Sequence, residues 1–263
     1  MANYSDILYT VSDGVATITL DRPDALNALR PTLLDELEAA MVRTEADEVR
    51  TVVLTGNGSA FSAGYDIGED EDELGSVEAR MRDRRSHLES IIESPLPVIA
   101  KVDGYALAGG CNLAIACDIT FASERSTFGF PDMHFGEPPP KFVLPFVTTS
   151  LKHARELLYS GKRISAAEAE RMGLVNHVVP TDELDDAVAE EADHIKKTPG
   201  VAVTLVKDML NDVQTAQGYR DSPLDEYLAI LTMETETPKR FREIREAEGF
   251  EAALEWMHEA DKP

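Results

Sequence analysis

The chain has little positive charge, almost no cysteine and no long apolar run. It sets 25 Lys and Arg, only 9 of them Lys, against 49 Asp and Glu, for a formal net charge of −24. Such an excess repels the phosphates of nucleic acid and of anionic membranes, which excludes non-specific binding to either. Cys111 and Cys117 are the two cysteines. Six apart in one helix-like segment, they point to different faces. Neither a disulfide nor a metal pair is expected of them, and both read as buried small apolar residues. No segment reaches the ~18 apolar residues that span a bilayer, and residues 1–6 lack the basic-then-apolar pattern of a leader. A cytoplasmic location is the expectation.

What is present suffices for a large core, since 263 residues with 43% hydrophobic content fold without staples. The acidic run 69–73 and the scarcity of lysine suit a surface that stays hydrated in concentrated salt, where screening removes most self-repulsion. A salt-adapted protein is therefore expected.

Two β-branched runs, 7–12 and 15–20, flank Asp13-Gly14, a strong hairpin signal because both turn residues tolerate positive φ. Pro31 opens a helix with Leu33, Leu37 and Met41 at helical spacing. Residues 49–55 and 98–102 read as buried strands, 76–93 as a charged helix stopped by Pro95, and 118–122 as a returning strand. Between them, 109–117 is apolar nearly all round, which predicts a central helix. Strands alternating with helices predict an α/β core with mostly parallel neighbours. From Phe142 onward the pattern turns helical. Ser165 to Glu168 reads as a capping box, Gly173 as a helix stop and 174–179 as a short strand. Residues 182–257 read as about four helices, separated at Thr198-Pro-Gly200, Ser222-Pro223, Thr237-Pro238 and Gly249.

The chemistry lies in Phe61-Ser-Ala-Gly-Tyr-Asp-Ile67 and in Gly104-Tyr-Ala-Leu-Ala-Gly-Gly-Cys111. Each places glycine or alanine where backbone must approach something closely, and the second runs into a helix whose first N–H groups are unspoken for. Two backbone donors converging from distant loops are what a developing oxyanion needs. The spacing of a dinucleotide loop, G-x-G-x-x-G, is absent.

Together with Asp21-Arg-Pro-Asp-Ala-Leu-Asn-Ala28, Pro97-Val-Ile-Ala-Lys-Val-Asp-Gly104, Cys117-Asp118 and Gly173-Leu-Val-Asn176, these stretches resemble the crotonase superfamily, the enoyl-CoA hydratase/isomerase family. The resemblance runs in order along essentially the whole chain. It implies a ββα spiral core, residues 1–195, and a helical C-terminal region, 196–263, that packs the chain into trimers or hexamers. It implies an acyl-CoA thioester as substrate, coenzyme A entering as part of it, with no metal and no redox cofactor. The amides of Tyr65 and Gly109 are then the oxyanion donors. Ala25 and Leu26, with the stretch Ala63, Gly64, Tyr65, Asp66 and Ile67, cradle the coenzyme. Arg22 meets a phosphate or pairs with a neighbouring carboxylate, and Asn27 satisfies a turn.

The match breaks at two positions. Hydratases of this family carry two glutamates; the corresponding residues here are Asn112 and Asp132. An amide exchanges no proton at neutral pH and can only orient water or substrate. Asp132 keeps acid–base capacity with a shorter reach, so hydration by two carboxyl groups is not expected to be efficient. One carboxylate suffices for moving a double bond. Decarboxylation of a malonyl-type thioester, with Tyr65 or Asn112 orienting, and hydrolysis, with Asp132 or Glu137 activating water, are the alternatives. So is a weakly catalytic acyl-CoA-binding protein. Glu137 lies in a stretch with three prolines that stiffens the pocket wall. On an extended segment His134 shares the side of Asp132, though a structural role is the plainer reading.

Overall fold

The computed structural model describes residues 4–66, 86–136, 138–140, 150–218, 228 and 231–260. Strands β1 (Ile7–Ser12) and β2 (Val15–Leu20) form the expected hairpin, Ser12 pairing Val15 across Asp13 and Gly14 at φ 49° and 72°. Helix α1 (Pro31–Thr44) follows, then β3 (Thr51–Gly56), β4 (Ala60–Ser62), β5 (Val98–Val102) and β6 (Tyr105–Leu107). Next come α2 (Gly109–Ala116), β7 (Ile119–Ser123) and β8 (Thr127–Gly129). Helix α3 (Leu151–Ser160), β9 (Arg163–Ser165), α4 (Ala166–Met172) and β10 (His177–Val179) complete the core. Helices α5 (Leu184–Lys197), α6 (Gly200–Ala216), α7 (Glu236–Glu248) and α8 (Phe250–Ala260) follow, and residues 231–233, ahead of α7, are helical too. None of the described helices is long and apolar enough to cross a membrane.

The strands sort into two sheets, β1-β2-β3-β5-β7-β10 and β4-β6-β8-β9, parallel except for β1/β2 and β8/β9. Each pair β3β4, β5β6 and β7β8 adds one long strand to the first sheet and one short strand to the second. That repetition makes a ββα spiral. The long strands are buried on both faces with period two, as parallel strands are. Val52, Leu54, Val98, Ala100 and Val102 enter the main core, while Val53, Ile99 and Phe121 face Leu184, Val188 and Ala192 of α5. All eight residues of α2 are buried, so this helix is central. Ser165 and Glu168 form the capping box and Gly173 ends α4 at φ 81°.

Two expectations need correction. The short strands β4, β6 and β9 read as loops or helical context in the sequence, and the helix break expected at Thr237-Pro238 falls at 234–235, between a helical stretch that ends at 233 and α7. Pro238 sits in the first turn of α7, where an amide has no intrahelical acceptor to lose. Ser222-Pro223, Phe142 and the acidic run 69–73 lie outside the described residues.

Candidate active site

Strands β4, β6 and β8 are parallel neighbours, so their C-terminal ends lie side by side. From these ends emerge, in order, Ala63 to Asp66, the start of α2, and the 3-10 turn Pro131–Phe135 that carries Asp132. Ligands of parallel sheets gather at this edge. The two glycine loops meet because of it. A β-carbon on Gly64 would lie 2.8 Å from Ala108 Cβ and 3.3 Å from Gly109 N, and one on Gly109 would lie 2.6 Å from Tyr65 Cε2. The Tyr65 ring thus lies against the helix entrance.

Backbone geometry aims both amides. Leu29 N donates to Gly64 O at 2.8 Å and Asp66 N donates to Leu29 O at 3.0 Å. The Gly64 carbonyl therefore points at Leu29, and the Tyr65 N–H of the same trans peptide points the opposite way. Ala108 turns the chain from β6 into α2 at φ 50°, ψ −122°, a conformation costing about 1–3 kcal/mol for a residue with a β-carbon. Asn112 N is the first to reach back, to Ala108 O at 3.0 Å. Gly109 N thus belongs to the first turn, at the positive end of the helix dipole.

Behind these loops Asn27, fully buried, does more than satisfy a turn. Its Oδ1 accepts from Arg22 N, and its Nδ2 donates to Asn57 O and Ala60 O at 2.9 and 2.7 Å. Ser62 Oγ donates to Asn27 O and accepts from Gly64 N. Each group orphaned by losing Asn27 would cost about 1–3 kcal/mol. Ala63 N donates to Leu26 O, which sets the exposed Leu26 and its neighbour Ala25 beside the 63–66 loop. Arg22 pairs with two carboxylates: its Nη1 lies 2.8 Å from Asp66 Oδ2 and its Nε 3.8 Å from Asp6 Oδ2. The side chain of Asp66 is accordingly committed to Arg22. Ile67 and Glu137 lie outside the described residues.

Asn112 is 2% exposed, and its Oδ1 accepts no hydrogen bond. Asp132 is 8% exposed on the next strand's exit. Burial, with a smaller push from the Asp132 charge, raises the neighbouring Cys111 thiol to about 12, so it is an inert group and no nucleophile. His134 does not share the side of Asp132. The segment is a 3-10 turn, in which residues two apart diverge by roughly 240°. Its exposed imidazole instead packs at Gly161.

Sequence reasoning missed Lys207, 7% exposed on α6, which donates to Ile91 O, Leu96 O and Asp118 Oδ2. Thr204 and Asn211, on the same helix, donate to Pro95 O and Ile92 O. A lysine amid the apolar residues of α6, in a lysine-poor chain, was the available signal. The helix is inside out: its polar stripe docks on the core while Leu205, Met209, Leu210 and Val213 are more than half exposed.

A spiral that brings two glycine-bearing loops and one buried carboxylate to one sheet edge is equipped to stabilise an oxyanion beside a single acid–base group. The model of the enoyl-CoA hydratase/isomerase family matches residues 10–252, and the chain belongs to that family. A probable enoyl-CoA hydratase of Rhizobium meliloti (strain 1021) is 37% identical over 224 residues, 83% of this chain and 87% of that protein. The short-chain-enoyl-CoA hydratase of Clostridium acetobutylicum is 35% identical over 249 residues, 90% of this chain and 94% of that one. Among solved structures, an enoyl-CoA hydratase/isomerase from Xanthobacter autotrophicus Py2 matches with a TM-score of 0.90 at 35% identity, covering 99% of this chain and 100% of that one.

Proposed function

We propose that the chain is an acyl-CoA enzyme that moves a proton at the carbon α to the thioester, with Asp132 as its acid–base group and the Tyr65 and Gly109 amides holding the enolate oxygen. The observation that carries this is the alignment of Tyr65, Gly109 and Asp132 at the ends of three adjacent parallel strands. Asp132 takes the α-proton of a 3-enoyl thioester, the electron pair passes to the carbonyl oxygen, and the same proton returns at the γ-carbon. The double bond ends at the 2 position with nothing gained or lost. Asn112 orients the acyl group, and its uncommitted Oδ1 accepts from a bound hydroxyl or water.

Conversion of 3-enoyl-CoA to its conjugated isomer, followed by absorbance, is the expected activity. Crotonyl-CoA hydration should be slow in the parent and rise at least ~10-fold in Asn112→Glu, which restores a second carboxyl group. Fast hydration in the parent, with no gain in the variant, would sink the single-carboxylate assignment.

The exposed apolar face of α6 suits a second copy of this chain, since burying several such side chains at about 1.5–3 kcal/mol each favours association. A homotrimer or hexamer in a salt-rich cytoplasm is the assembly we favour. With a net charge of −24, self-repulsion is relieved as the Debye length shrinks to ~3 Å at 1 M salt. Sedimentation from dilute buffer to multimolar potassium chloride should show assembly strengthening with salt. Leu205→Glu with Met209→Glu should give a smaller particle, and a monomer at every salt concentration in the parent would refute the assembly.

A further inference from the structure

Resting on the reading of Asp132 above, we propose that the α7–α8 hairpin positions that carboxylate, with Phe241 as the positioning residue. Asp132 sits on a five-residue 3-10 helix, closed by Met133 N to Phe130 O at 3.1 Å and Gly136 N to Met133 O at 3.2 Å. So short a turn is held in place by its surroundings more than by its own bonds. Phe130 plugs one end into the main core. The other end is gripped by the hairpin of the same chain. Phe135 stacks on Phe241 with centroids 4.4 Å apart and planes at 30°, and Phe250 closes against both edge-on. A β-carbon on Gly136 would lie 2.6 Å from Pro238 Cγ, so backbone and hairpin touch there too. Phe241, Ile244, Ala253 and Met257 form a small core apart from the main one, and Phe135 is packed against it. The hairpin's core is thereby joined to the site through the turn that carries the carboxylate, where ~1 Å of misplacement costs on the order of 100-fold.

The test compares Phe241→Ala and Phe241→Leu with Val188→Ala, a packing loss in the unrelated cluster under α5. Hydrogen exchange of the Met133 and Gly136 amides should quicken in Phe241→Ala, kcat should fall ~10-fold or more, and butyryl-CoA affinity should hold within about twofold. Phe241→Leu should recover most of the loss, and Val188→Ala should leave exchange at the turn and kcat unchanged. Should the alanine variant not fold, the leucine variant carries the same comparison with smaller steps. Parent-like exchange at 133 and 136, or an equal kcat loss in Val188→Ala, overturns the proposal. Full turnover in Asp132→Asn would instead overturn the role of Asp132, and the exchange result then judges the hairpin's grip by itself.

Discussion

Asp132→Asn should lose turnover by roughly 10²–10⁴-fold while retaining its fold and its affinity for acyl-CoA. The substitution is close to isosteric and removes only the capacity to exchange a proton. Nothing described nearby can take over. Asn112 is already an amide, the Cys111 thiol is held up at about 12 by burial, and the exposed His134 is turned toward Gly161. Because the carboxylate acts while the proton is in flight, kcat and kcat/KM should fall together, with KM little changed. Steady-state isomerisation beside calorimetric titration with butyryl-CoA separates the two quantities. A variant within about threefold of the parent would move the proton chemistry elsewhere, Glu137 being the sequence's other candidate.

How much of this was legible beforehand depended on how local its cause is. The β1/β2 hairpin, the capping box at Ser165 and the stop at Gly173 each follow from a few adjacent residues, and the structure has them where the sequence put them. Helix α2 was legible because 109–117 is apolar nearly all round, and all eight of its residues are indeed buried. The second sheet was not. Ala60–Ser62, Tyr105–Leu107 and Arg163–Ser165 are three residues each, too short to show alternation, and they are strands only because their neighbours pair with them. Asp132 illustrates the same divide. Its identity as a departure came from the motif around it, yet its placement beside α2 depends on the β6–β8 pairing, and its turn on a phenylalanine more than a hundred positions away. That Arg22 meets Asp66, forty-four positions on, was likewise illegible in the sequence, because only the fold closes that carboxylate onto it.

Gly64→Ala should reduce kcat/KM by about 10²–10³-fold, the loss that follows removal of one oxyanion donor. Two effects combine at this position. The residue holds φ +107°, which a side chain rarely adopts, and its new β-carbon would press on Ala108 Cβ at 2.8 Å, Leu107 O at 3.0 Å and Gly109 N at 3.3 Å. Relief requires the 63–66 loop to back away from the entrance of α2, which separates the two amides that must point at one oxygen. The loop cannot retreat freely, since Leu29 and Leu26 hold it from behind through three backbone hydrogen bonds. Part of the strain therefore remains, and stability should also fall by about 1–3 kcal/mol. Gly14→Ala isolates that second effect. It too has positive φ, +72°, but a β-carbon there meets only Arg50 Cγ at 3.6 Å and Lys196 Cδ at 3.9 Å, ordinary contacts in a hairpin turn. It should lose stability on the order of 1 kcal/mol and keep its activity. Thermal unfolding and kinetics on the two variants distinguish strain from misalignment. If Gly64→Ala behaves like Gly14→Ala, less stable but equally active, the amides of Tyr65 and Gly109 do not share an oxyanion.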